Sequence, residues 1–317
     1  MRIPLSEIRI RDRYSPSFLP DLDPLVASLR EVGQICDVLL REGEEGLEVV
    51  SGLKRLLALE AMGEEGIRAR IVKGKEFSPS RAVRVAIAHN IPSGLNLVEK
   101  ARSVEKLESE GVPREEIIKR WLPLMGFGPR MELFVRLRAI SGFPDGIKTY
   151  IVQRGLTLSG VSPLLTFQRQ ELEALTPLLF ALKPGENKLR EILLSLRDLS
   201  LREGVEVEEI VSEVRRVVQD PERPPGERLE TLRQWFKRRL HPHLDQVEKR
   251  LDELRRELDL PKGSLLPPPG FEGEHYRLTF SFTDKGDFLR WAKRIWKAAQ
   301  RLEREGKDPF RELLGLG

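Results

Sequence analysis

Leu22, Leu25, Val26, Leu29 and Val32 recur at intervals of three and four residues, the spacing that gathers side chains on one face of an α-helix. Asp23 reads as the N-cap, Pro24 sits in the first turn and Gly33 stops the run, so the pattern predicts one helix here. The period then changes. Asp37 to Leu40 and Leu47 to Val50 are short β-like runs on either side of the acidic turn REGEEG. Leu53 to Met62 returns to the helical period and ends at Gly63, and IRARIV alternates as a strand. Residues 1–77 therefore read as a small α/β domain.

From Ser78-Pro79 onward the pattern is almost entirely helical, with glycine stops at Gly111 and Gly155 and proline starts at Pro113, Pro129 and Pro163. This all-α stretch covers 78–219. A charged helical connector, 220–260, carries Leu229, Leu232, Trp235 and Phe236 and then Leu240 to Leu258 at helical spacing, with the period broken near His241-Pro242. PKGSLLPPPG then reads as a stiff linker of the polyproline kind. In the last piece, 261–317, Tyr276, Leu278, Phe280 and Phe282 alternate with polar residues as one strand, and Phe288, Trp291, Ile295, Trp296 and Leu302 mark a helix. With no second strand legible, that strand is expected to pair with the same strand of a second chain, the alternative being that it docks on the chain's own α/β sheet. The fold class is α+β.

Composition narrows the class further. Of 317 residues, 40% are hydrophobic and 33% charged, too apolar for a disordered tail and too evenly charged for a membrane protein. No apolar run approaches the roughly 18 residues of a membrane span, and the amino terminus has no apolar signal core, so a cytoplasmic protein with no membrane partner is expected. One cysteine and four histidines give neither a disulfide nor a zinc spacing. Cys36 reads as a small packed residue.

The net charge is +4, and its place in the chain matters more than its size. Residues 112–155 hold eight basic and four acidic side chains, an excess equal to that of the whole chain. A second concentration follows the strand at Leu47: Ser51-Gly52-Leu53-Lys54-Arg55 opens a helix. Glycine lets the backbone approach an anion, the first helical amides point at it, and Lys54 and Arg55 add charge at the positive end of the helix dipole. Neither a P-loop nor a dinucleotide fingerprint is present.

The order of these features resembles the amino-terminal domain of ParB-type DNA-partition proteins, which shares its fold with sulfiredoxin. That family's motif G-E-R-R-x-x-A is met by Gly52-Leu53-Lys54-Arg55 through Ala58. Its E-N-x-x-R followed by L-N-x-x-E-x-A is met by His89-Asn90-Ile91-Pro92-Ser93 and Leu95-Asn96-Leu97-Val98-Glu99-Lys100-Ala101. The resemblance covers about the first half of the chain. It implies a domain that binds CTP with Mg2+ and closes a clamp on DNA, with Gly52, Lys54, Arg55 and Asn90 at the phosphates and Asn90 near the metal. Leu53, His89 and Ser93 replace the family's charged residues, which argues for nucleotide binding without hydrolysis. Sulfiredoxin's nucleophilic cysteine would fall at Leu53, so thiol chemistry is not expected.

Downstream, Pro113 to Trp121 and Pro129 to Ile140 resemble that family's helix-turn-helix with a longer turn, LPLMGFG. A helix in the major groove offers its first turns to base edges, so Arg130 and Met131 are the candidates for base readout. Arg114, Lys119, Arg120, Arg136 and Lys148 are candidates for the remaining DNA contacts. The resemblance further implies duplex DNA as partner, a partition ATPase, a homodimer and association with the nucleoid. Two other functions are open from the sequence: a phosphoryl-handling or nuclease-like enzyme at the Gly52 turn, and an interaction scaffold with degenerate sites.

Overall fold

The computed structural model describes residues 1–218, 220, 222–268, 275–305 and 308–313. They form two compact units, one of residues 1–197 with 206–216, the other of 198–205 with 217 onward. Among the described residues, no helix is long and apolar enough to cross a membrane.

The first unit opens on β1 (Arg2–Pro4) and β2 (Ile8–Ile10), two strands the periodicity does not announce. There follow α1 (Asp23–Val32), β3 (Val38–Glu42), β4 (Leu47–Ser51), α2 (Leu53–Ala61) and β5 (Gly66–Val72). The sheet runs β1-β5-β3-β4-β2. β3 pairs antiparallel with β4 across the acidic turn and parallel with β5, which α2 reaches by crossing over. Strand alternation sends Ile67 and Ala69 inward and Arg68 and Arg70 outward. Val38, Leu40, Val49 and Ile67 meet Leu29 of α1 and Leu53, Leu56 and Leu59 of α2 in one buried core.

A charged group lies inside this layer. Glu48 is 1% exposed, and its carboxylate accepts from Arg41 at 2.7 Å, Tyr14 Oη at 2.6 Å and Arg13 at 3.0 Å. Burial alone would raise the Glu48 pKa, but these donors and the two guanidinium charges outweigh it and hold the carboxyl below its usual range. Arg13 also clasps Glu110.

α3 (Pro79–Asn90), capped by Ser78, packs on β4, and α4 (Leu97–Ser109) begins with an Asn96–Glu99 capping box. The next helix is continuous from α5 (Arg114–Glu116) through a π-helical turn (Ile117–Trp121) to α6 (Leu122–Leu124). It is longer than the proline start and the LPLMGFG turn suggest, running on through Pro123, which follows directly on the π-helical turn. α7 (Met131–Ser141) and α8 (Asp145–Arg154) both lie against α4. α9 (Leu158–Val161), α10 (Arg169–Leu182), α11 (Glu186–Glu203) and α12 (Val207–Val217) follow.

In the second unit, α13 (Pro225–Leu240) and α14 (Pro242–Glu257) divide at His241, where the period breaks. The linker expectation is corrected here. Leu265 and Leu266 form β6, which pairs antiparallel with β7, Arg277–Leu278, so the strand's partner lies within the same chain. The strand is also shorter than its alternation suggests. Phe280 and Phe282 lie beyond it and cluster with Phe288 and Trp291 of α15 (Lys285–Glu305). α16 (Pro309–Leu313) completes a small core with Leu251, Leu254, Leu258, Leu265 and Ala298. Residues 269–274, 306–307 and 314–317 of the expected carboxy-terminal piece lie outside the described residues.

Candidate functional site

β4 ends at Ser51, and the chain turns at Gly52 into α2. Gly52 has φ +98°, and a Cβ there would meet Cγ2 of Val38 at 2.9 Å, so conformation and space both require glycine. The first amides of α2 lack partners within the helix and carry the positive end of its dipole. They open at a cavity of about 410 Å³. Gly52, Lys54, Arg55 and Asn90, the four residues named from the sequence, all line it. Lys54 Nζ stands 3.9 Å from Oε1 of Glu99, while the Arg55 side chain has no hydrogen bond or ion pair among the described residues. His89 also lines the cavity, in hydrogen-bond contact with Ser51 through Nδ1 at 2.8 Å.

Other lining residues carry no periodic signal in the sequence. Ser15 and Ser17, buried and 3.1 Å apart through their hydroxyls, come from the irregular segment after β2. Asp37 and Cys36 enter from the start of β3. Cys36 is exposed rather than packed, because it precedes the first paired residue of β3 instead of sitting within the strand. Glu99, visible in the sequence only as a motif letter, is 4% exposed and accepts from the amides of Phe18 and Asn96 at 3.3 and 3.1 Å.

The basic segment is separate from this cavity in sequence and differs from it in chemistry. Arg120, Arg130 and Met131 are exposed, Met131 at 52%. Arg130 stands in extended conformation at the N-cap of α7, and Val135, one turn on, is also exposed. Arg114 and Arg138 both bind Glu108 of α4, at 2.9 and 2.6 Å, which fastens the α5 and α7 helices to α4. The hydrogen bond from Arg114 leads in holding the Glu108 carboxyl below its usual range; burial opposes it and Arg138 adds to it. Lys119 pairs with Glu115 and Arg136 with Glu132, both on exposed helix faces. Lys148 stands apart. Its side chain is 10% exposed, paired with Asp145 at 2.8 Å, and its ammonium lies over the Phe18 ring, so it is not presented to solvent as a phosphate contact requires.

No family model matches the chain. A nucleoid occlusion protein of Halalkalibacterium halodurans is 28% identical over 204 residues, covering 61% of this chain and 68% of that protein. The chromosome-partitioning protein Spo0J of Thermus thermophilus is 29% identical over 123 residues, 38% of this chain and 45% of the relative. A probable plasmid-partitioning protein ParB of Xylella fastidiosa is 32% identical over 108 residues, 33% of this chain and 26% of the relative. A solved structure of truncated ParB from Caulobacter crescentus complexed to the parS site matches with a TM-score of 0.34 and 15% identity, over 61% of this chain and 98% of that one. The α+β class expected from the sequence is borne out. So is the resemblance to ParB-type partition proteins, which these relatives share in sequence.

Proposed function

We propose that the chain is a ParB-like, sequence-specific DNA-binding protein acting in DNA partition or transcription regulation, and that a nucleotide such as CTP at the Gly52 cavity gates it. The observation that carries the reading is the head of α7. Arg130 and Met131 stand exposed at its first turn, behind a helix clamped in place by Glu108. Arg130 suits a guanine edge, and the apolar pair Met131 and Val135 suits thymine methyl groups. Arg120 and the surface pairs of Lys119 and Arg136 supply cations that exchange their carboxylates for phosphates at little cost, since exposed pairs are worth less than about 1 kcal/mol. Lys148 is withdrawn from this set because of its burial.

Two such domains held in a homodimer would read an inverted repeat. Selection from random duplex oligonucleotides with the full chain tests the reading. The expected result is one enriched inverted-repeat motif whose binding weakens steeply with salt. No enrichment of any duplex sequence overturns it.

A further inference from the structure

The resemblance brings Mg2+ with the nucleotide, and the donors around the Gly52 cavity do not fit it. Mg2+ takes hard oxygen ligands, in practice one or two carboxylates beside the phosphates and water. Among the described residues, the cavity wall offers one carboxylate, Asp37, whose Oδ1 accepts from both Nε and Nη2 of Arg68 at 3.1 Å. The next, Glu99, gives one oxygen to the Phe18 amide and the other to the Asn96 amide, and it faces Lys54. Asn90 keeps a neutral carboxamide whose Nδ2 donates to the Ala86 carbonyl at 2.7 Å, which leaves one uncharged oxygen. His89, at the position of the motif's glutamate, is a nitrogen donor already engaged with Ser51. Among the described residues, no group of three or more His, Cys, Asp and Glu is arranged to hold a metal.

The same wall is well suited to an anion. Lys54, Arg55 and the α2 N-terminus gather positive potential at one end of the cavity, and Ser15 and Ser17 place hydroxyls on its lining. A divalent cation would enter against those charges with a single carboxylate, Asp37, on the wall, and that one beside the Arg68 guanidinium.

We infer that this cavity binds nucleotide phosphates without a divalent cation, Lys54, Arg55 and the α2 amides neutralising them, and that His89 in place of a carboxylate is what removes the metal. The inference rests on the phosphate-site reading of the cavity. Titration calorimetry of the full chain with CTP, and separately with inorganic triphosphate, in EDTA and in Mg2+, tests it. The expected result is an affinity for CTP that Mg2+ tightens by no more than about threefold, and that falls where Mg2+ chelates the free triphosphate. Tightening by Mg2+ beyond that overturns the inference while leaving the phosphate site standing. No binding of either probe in either condition overturns the phosphate site and the inference together. H89E completes the test: it should bind CTP at least about tenfold more tightly with Mg2+ than with EDTA. An H89E protein whose CTP binding Mg2+ tightens no more than it does the parent's overturns the role given to His89.

Discussion

Ser51 Oγ and His89 Nδ1 stand 2.8 Å apart and join the last residue of β4 to the last turn of α3. The two positions are far apart in the chain, yet each adjoins a residue named from the motifs: Gly52 follows Ser51, and Asn90 follows His89. The contact therefore fixes the spacing between the two halves of the cavity wall. Packing of α3 on β4 sets its geometry, with Ala82, Val83, Ala86 and Ile87 buried along the helix.

The first prediction separates charge from scaffold at this cavity. Lys54 and Arg55 are partly exposed, and the buried Glu99 that Lys54 faces at 3.9 Å keeps hydrogen bonds from the Phe18 and Asn96 amides without it. Replacing both with alanine should abolish nucleotide binding by calorimetry and change stability by no more than about 0.5 kcal/mol for each site. Gly52→Ala should behave in the opposite sense. Its φ of +98° and the 2.9 Å approach to Val38 make it lose of order 1–3 kcal/mol in denaturant melts.

The DNA-facing residues should divide by kind of contact. Arg130→Ala is expected to cost about 1–3 kcal/mol on the preferred site and to relax selectivity at one base pair. Arg120→Ala should weaken all duplexes alike and reduce the slope of log affinity against log salt by about 0.9. Val135→Ser should lower preference at a single A·T position. Lys148→Ala should leave the salt slope unchanged, because its ammonium is held between Asp145 and Phe18. Fluorescence anisotropy across a salt series measures all four.

Acid should loosen the first unit through Glu48. Its carboxyl titrates below the ordinary glutamate value in the folded protein, so its contribution is complete above the unfolded pKa and is lost as pH falls through the lowered folded one. Glu108 and Glu116, held down first by hydrogen bonds from Arg114 and Arg84, act in the same direction. Melting temperature is expected to fall from about pH 4.5 downward, and Glu48→Gln should flatten that limb. Glu48→Ala, which strands the buried Arg41, should cost about 3–5 kcal/mol at neutral pH.

Much of the α/β layer was legible because its elements keep one clean period between glycine or acidic stops. α1, β3, β4, α2 and β5 all do. β1 and β2 were not, since three residues apiece hold too few alternations to register. β6 was hidden for a related reason: two leucines among prolines carry no period, and only the antiparallel register with Arg277–Leu278 defines them as a strand. The cavity was half legible. Its glycine and cations sit at a strand-to-helix turn that the pattern marks, whereas Ser15 and Ser17 belong to an irregular segment that tertiary contacts hold against α4, among them Arg102 to the Pro16 carbonyl and Lys106 to the Arg13 carbonyl. Lys148 misled for the same reason. It lies in a basic run, but its neighbour Phe18 comes from that segment.

The last prediction concerns self-association through the carboxy-terminal unit. β7 has its strand partner in β6, so unpaired backbone no longer argues for a second chain. The side chains do. On α15, Ile295 and Ala298 face the unit's interior, while Phe288, Leu289 and Trp296 are 45, 47 and 66% exposed. A cavity of about 750 Å³, lined by Leu258, Ile295, Ala299, Leu302 and Phe310, opens in the same unit. Its lining is mostly apolar, with His275, Asp308 and Arg311 among it, and exposed aromatic side chains on the same unit are what a second copy would cover, since aromatic anchors of this kind dominate such interfaces. Trp296→Glu in the full chain places a charge on that face without touching the core of Leu251, Leu254 and Leu258. Sedimentation at tens of micromolar should show a dimer for the parent chain and a monomer with unchanged circular dichroism for the variant. A parent chain that sediments as a monomer, or a variant that stays dimeric, removes α15 from the interface.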